Sequence, residues 1–317
     1  MPSTTPSTTP SGPVAERDVP PSAAPAPALP ARALVGRLLA ASRPLSWVNT
    51  AYPFAAAYLL AGGRAGVALV VGAVFFLVPY NLAMYGINDV FDYASDAANP
   101  RKGGVEGALL DPGLHRRVLV AAVAACVPFV AALVALGGPW SWAVLGVTLF
   151  AVAAYSVPGL RFKERPVLDS LTSSTHFTGP AVYGLVLAGG EWGRSAVLAL
   201  VAFFAWGVAA QAFGAVQDVV PDRQAGIASV ATALGAARTV RLSLALWAAA
   251  GLLLLAEPFA GLLAAPLVVP YLVLAWPYRS VTDEASAAAH GGWRHFLVVN
   301  YAVGFLVTLI LIMIGRS

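Results

Sequence analysis

Two short acidic stretches define the chemistry open to this chain. Asn88, Asp89, Asp92 and Asp96 fall within nine residues and directly follow an uncharged run from Val67 to Ala83. Asp218 and Asp222 close a second apolar segment, with Gln211 and Gln217 just before them. Residues three or four apart share a helical face. Asn81, Tyr85, Asn88, Asp89, Asp92 and Asp96 therefore form one stripe, and Gln211, Asp218 and Asp222 a second. Five carboxylates facing one cavity repel each other, and hard divalent cations relieve that repulsion. Oxygen-only donors suit Mg2+ or Mn2+, and helix C-termini add partial negative charge that favours cations. Asp89, Asp92, Asp96, Asp218 and Asp222 are thus the candidate metal ligands. Asp89 and Asp96 stand about 10 Å apart along an ideal helix, so more than one ion, or an ion-bridged anion such as a diphosphate, is implied.

Acids at helix ends need elements that carry them to a membrane surface. Of the 317 residues, 59% are hydrophobic and 11% charged, with a mean hydropathy of +0.75. This composition excludes a soluble globular protein and predicts an all-α, polytopic membrane protein. Nine apolar segments, near 44–62, 66–89, 117–137, 140–157, 168–188, 194–216, 239–256, 259–277 and 295–315, approach the ~20 residues that cross a bilayer. About nine transmembrane helices in a bundle around a central cavity are expected. With the N-terminus in the cytoplasm, Arg64, Arg194 and Arg316 are the outside cations and the other 16 of 19 Lys and Arg lie inside, as the positive-inside rule requires. Both acidic stretches then reach the cytoplasmic side. The net charge of +4 follows from the same rule and needs no nucleic acid. Residues 1–30, rich in Pro, Ser, Thr and Ala, read as a disordered tail without the features of a signal peptide, and residues 31–317 as one transmembrane domain. Cys126 is the single cysteine and excludes a disulfide within the chain.

Cations near the acids would hold phosphate oxygens. Arg101 and Lys102 follow the first stretch, Arg161 and Lys163 lie in a later inside loop, and Arg223 follows the second. Each also serves simply as a cytoplasmic topology residue. The fifth apolar segment carries Asp169, Ser173, His176 and Pro180 at spacings of four, three and four. Polar groups in a membrane helix face the bundle. Asp169 and His176 are candidates for binding substrate, accepting a proton or positioning water, with interhelical hydrogen bonding as the alternative. Phe91, Tyr93, Phe162, Trp206 and Phe213 are candidates for cation–π shielding or for ordinary packing.

Asn88-Asp-x-x-Asp92-x-x-x-Asp96 with Asp218-x-x-x-Asp222 resembles the UbiA superfamily of intramembrane prenyltransferases. So do Arg43-Pro44 with Trp47 and Asn49, and Tyr155-Ser156 leading to Arg161 and Lys163. The resemblance spans roughly residues 40 to 316. It implies a Mg2+-bound prenyl diphosphate, loss of diphosphate to give an allylic cation, and capture of that cation by an acceptor. By position it assigns Asn88 and the five aspartates to Mg2+-diphosphate, and Lys102, Arg161 and Lys163, with Arg101 beside them, to the leaving group. Tyr155 and Ser156 would lie at the reacting centre as catalytic residues, and Asn49 would join the substrate-binding set.

A narrower resemblance lies in Tyr85 to Tyr93 and in Asn99-Pro-Arg-Lys-Gly-Gly-Val-Glu-Gly107, which are similar to the actinobacterial lycopene elongases of C50 carotenoid biosynthesis. It implies a dimethylallyl donor, a lipophilic polyene acceptor, multi-pass insertion in the plasma membrane with a cytoplasmic active site, and room for a carotenoid cyclase as partner. Another acceptor, such as a quinone precursor, a chlorophyllide-like ring or a sugar, would leave the acidic stretches unchanged. A divalent-cation transporter would instead need acids at mid-membrane or outside, where the outer loops hold Glu191 and Glu257.

Overall fold

The regular elements are helical throughout the residues that the structure, a computed structural model, describes: 30–93, 110–257 and 259–315. Helix α1 (Ala31–Ala41) turns at Arg43 through Pro44–Ser46 into α2 (Val48–Leu60). There follow α3 (Val67–Leu77), α4 (Pro79–Phe91), α5 (His115–Leu136), α6 (Pro139–Ser156), α7 (Leu168–Leu187) and α8 (Arg194–Val216). Two short helices, α9 (Val219–Gln224) and α10 (Val230–Leu234), lead to α11 (Ala236–Leu255). The chain ends in α12 (Ala260–Ala264), α13 (Val269–Ala275) and α14 (Ala289–Ile314). Each apolar segment expected from sequence falls on a helix or a broken pair of helices. Among the described residues seven stretches are long and apolar enough to cross a membrane, and the chain is a multi-pass membrane protein.

The two expected segments outside that group have physical reasons to differ. Helix α2 has 13 residues, about 20 Å of helix, and is prolonged by the turn at Pro44–Ser46. Helix α7 has the length, but it is enclosed by α2, α6 and α8. A helix surrounded by protein can be polar, because its hydroxyls find partners on its neighbours. Ser174 donates to the Phe204 carbonyl at 2.8 Å, and Tyr80 donates to the His176 carbonyl at 3.2 Å. Small residues permit such close crossings in membranes. A Cβ on Gly184 of α7 would stand 2.4 Å from the Phe54 carbonyl oxygen of α2.

The segment expected as one helix over 66–89 is two helices, broken at Val78 (φ −119°, ψ −61°). Pro79 has no N–H to give the preceding turn. The carbonyls at the break are satisfied by side chains instead. Asn81 donates to Phe76 at 2.7 Å and to Leu77 at 3.1 Å, and Thr50 donates to Phe76 at 2.7 Å. Asn81, expected on the acidic stripe, is thus fully buried as a helix-break cap. One aromatic core, around Phe54, Phe75, Phe76, Tyr80 and Tyr183, packs the N-terminal half. Another, around Phe213, Trp247, Tyr271 and Phe296, packs the C-terminal half, and a large cavity lies between them.

Candidate active site at two acidic helix ends

Helix α4 ends at Phe91, and Asp92 caps it (φ −98°, ψ −3°). Asp89 sits in the last turn, 2% exposed, and Asp92 is 6% exposed. Burying carboxylates is costly unless cations or hydrogen bonds compensate them, and distant elements bring both. The Arg43 guanidinium lies 2.7 Å from Asp89 and 4.3 Å over the Tyr85 ring. Lys163 pairs with Asp92. Both cations come from strained backbone. Arg43 is left-handed at φ 51°, and Arg161 (φ 40°) and Val167 (φ 75°) bracket the turn that carries Lys163. Such conformations cost about 1–3 kcal/mol each in a non-glycine residue, and here they aim positive charge at buried acids. Burial lowers Lys163 to about 8, against the opposite pull of Glu164 and Asp222.

The second acidic stretch does not continue its helix as the spacing suggests. Helix α8 ends at Val216, Gln217 caps it, and Asp218 (φ −100°, ψ 2°) begins α9. Asp222 lies in the first turn of that short helix, its N–H donating to the Asp218 carbonyl at 2.9 Å. The flanking residues make tertiary ties. Gln217 Oε1 is 2.6 Å from His290 Nδ1 of α14. Arg223 binds Asp283 at 2.6 Å and the Thr232 carbonyl at 2.8 Å.

The cavity measures about 2520 Å³. Asn88, Asp92, Lys163, Asp218 and Asp222 line one end, with Tyr155, Asp169, His176, Gln211 and Asn49 also on its wall. Tyr155 packs edge-on against His176 at 5.1 Å and accepts from Gln211 at 3.4 Å, and Gln211 accepts from Ser173 at 2.9 Å. Asp169 adds a structural bond, accepting the Val230 N–H at the start of α10 at 2.8 Å. Of the sequence-derived candidates, Asp89, Ser156 and Arg161 are absent from the cavity wall. Asp89 faces Arg43, Ser156 donates to Asn88 Oδ1 at 3.0 Å, and Arg161 pairs with Glu164. Asp96, Arg101 and Lys102 lie outside the described residues. Among the five aromatic candidates, Trp206 lines the cavity; Phe213 is core, and Tyr93 packs on His115. Sequence reasoning missed Arg43 as the partner of Asp89, although its place before Pro44 marked a turn. It also missed the Gln217–His290 bridge, which no spacing encodes.

This donor set fits Mg2+. Its acids and amides offer oxygen only, and its buried carboxylates are balanced by protein cations. Among the described residues no three His, Cys, Asp or Glu side chains form a ready metal cluster. Fold and site define a multi-pass helical membrane protein whose intramembrane cavity ends in two facing acidic motifs. The UbiA prenyltransferase family model matches residues 50–300, and the chain belongs to that family. It is 52% identical over 280 residues to the C(50) beta-cyclic carotenoids biosynthesis protein LbtBC of Dietzia sp., a match covering 88% of this chain and 65% of that protein. It is 47% identical over 279 residues to the lycopene elongase/hydratase of Corynebacterium glutamicum, covering 88% and 97%. The fold is shared with a UbiA homolog from Archaeoglobus fulgidus bound to DMAPP and Mg2+, at TM-score 0.57 and 20% identity over 84% of this chain and 98% of that one.

Proposed function

We propose that this chain is a lycopene elongase, moving a dimethylallyl group from dimethylallyl diphosphate onto the ends of lycopene with Mg2+ as cofactor. The carrying observation is the pair of acidic helix ends at one end of a long apolar cavity, in a chain 47–52% identical to proteins named for lycopene elongation and C50 carotenoids. Asp92, Asp218 and Asp222, with Asn88, would hold the ion. Mg2+, when bound, withdraws charge from the diphosphate and eases its departure. Lys163 is placed to follow that negative charge. Asp96, Arg101 and Lys102 are assigned to the same end from sequence alone, and Asp89 acts with Arg43 behind Asp92.

The donor's C–O bond breaks and its electron pair leaves with the diphosphate. The terminal double bond of the polyene supplies the pair for the new C–C bond, leaving a tertiary cation. That cation loses a proton, or takes up water and then loses one. Tyr155, His176 and Trp206 line the space where this charge develops, and prepositioned dipoles and rings stabilise charge without reorganising. The acidic end faces the cytoplasm of a plasma-membrane protein that crosses nine times, by the distribution of Lys and Arg. Ion conduction is the weaker reading. Between Asp169 and the far-end Glu191 and Glu257 the described wall carries no carboxylate.

Membranes from a lycopene-forming host test the proposal. With dimethylallyl diphosphate and Mg2+, products heavier by one and then two five-carbon units are expected by mass, and chelation of the metal should abolish them. Unchanged lycopene with inserted protein would refute the elongase reading.

A further inference from the structure

The cavity is much longer than one prenyl diphosphate requires. On α8 its wall runs from Ala196 to Gln211 and on to Asp218, and on α14 from His290 to Ile314. Helix α8 has 23 residues, about 35 Å of helix, against a hydrocarbon core of about 30 Å. The volume of about 2520 Å³ exceeds the roughly 300–1,000 Å³ of ordinary small-molecule pockets. The two ends differ in kind. One holds the aspartates and Lys163. At the other, Glu191 and Glu257 line the wall, and Arg194 is bound to the Ala256 carbonyl at 3.2 Å. A diphosphate has its counter-charges at the first end.

We propose that the acceptor polyene lies lengthwise through this cavity, one terminus at the acidic helix ends and the other at the opposite membrane face. The inference rests on the elongase reading. The long conjugated middle of the polyene is stiff and cannot fold back to bring both termini to one place. The two ends are therefore extended in separate binding events. The singly extended product leaves, reverses end for end, and rebinds. The near half of the cavity holds the chemistry, and the far half measures the acceptor.

Gly304 of α14 provides a direct probe. It lines the cavity, and a Cβ built there meets nothing within 4 Å, so Gly304→Phe adds bulk to open space. It stands about 21 Å along α14 from His290. Ala199→Trp places a similar block on α8. Wild type and both variants would be given lycopene, an acyclic polyene of half its length, and an unreactive thiolo analogue of dimethylallyl diphosphate with Mg2+. Lycopene extension should fall about 100-fold in the variants, the scale on which small misplacements of a reacting group act. Extension of the short polyene and binding of the analogue should stay at wild-type levels. Isotope-labelled lycopene chased with unlabelled lycopene should leave labelled singly extended product trapped. Wild-type lycopene turnover in both variants would overturn the inference, as would loss of the short acceptor with analogue binding intact or doubly extended label that no chase interrupts. A wild-type enzyme that extends neither polyene would overturn the elongase reading itself.

Discussion

At the end of α4, Asp89 and Asp92 are each tied directly to a cation from elsewhere in the fold. Arg43 reaches Asp89 from the turn before α2, and Lys163 reaches Asp92 from the loop after α6. At the end of α8, the neighbours of the acids carry tertiary ties. Gln217 holds α14 through His290, and Arg223 holds the α10–α11 region through Thr232 and Asp283. The first motif thus combines folding and chemistry in the same carboxylates. The second is less buried: Asp218 and Asp222 line the cavity wall half-buried, and the adjacent Gln217 and Arg223 add the ties just given.

The strongest test of that difference is a pair of substitutions. Asp218→Asn and Asp92→Asn each remove a charged oxygen from the candidate ion site, and prenyl transfer should fall about 100-fold or more in both. Their stabilities should part. Asp92→Asn leaves Lys163, 13% exposed at its side chain, without its carboxylate, and breaking a buried pair costs about 3 kcal/mol. Asp218 is less buried than Asp92, so Asp218→Asn should lower the unfolding temperature by less. Thermal unfolding in detergent beside product mass reads both effects. Equal loss of stability in the two variants would erase the distinction between the motifs.

The parts legible in the sequence were those written in local period and charge. Long apolar runs gave the membrane helices, and clustered aspartates after them marked the acidic ends. The Arg43–Asp89 pair was not legible, because 46 residues separate its members and only the packed bundle brings them together. The break at Val78 was signalled by Pro79, yet the surrounding apolar run read as continuous. Arg161 and Lys163 look equivalent in sequence. The left-handed backbone at Arg161 sends one to Glu164 and the other to Asp92. Asp169 read equally as a substrate group or an interhelical tie, and its bond to Val230 shows why a single polar residue in an apolar helix has no unique meaning: the partner lies 61 residues away.

A smaller effect follows at Arg43. Arg43→Met should destabilise the protein by about 3 kcal/mol, because it takes a cation from a buried carboxylate. Arg43→Met combined with Asp89→Leu should recover part of that loss, giving a coupling energy above about 1 kcal/mol in a double-mutant cycle. Additive losses would mean that Asp89 is stabilised by other groups and that Arg43 serves mainly the Tyr85 ring.

The smallest effect lies in the scaffold of the second motif and depends on pH. Asp283 accepts the Ala236 N–H at 2.6 Å and an Arg223 N–H at 2.6 Å, and these bonds hold its carboxyl below the ordinary carboxylate range. The unfolded chain titrates this group near about 3.9. Because folding favours the ionised form, its stabilising contribution is complete above that value and is lost as pH falls through the lower folded value. The group is partly exposed, so the contribution should stay below about 1 kcal/mol. Asp283→Asn should therefore speed amide exchange at Ala236 at neutral pH, and the difference from wild type should shrink below about pH 4. Turnover at saturating donor should change little, since Arg223 and Asp283 hold the elements behind Asp222 without touching the cavity. A large loss of turnover in Asp283→Asn would show that the elements behind Asp222 bear directly on its chemistry.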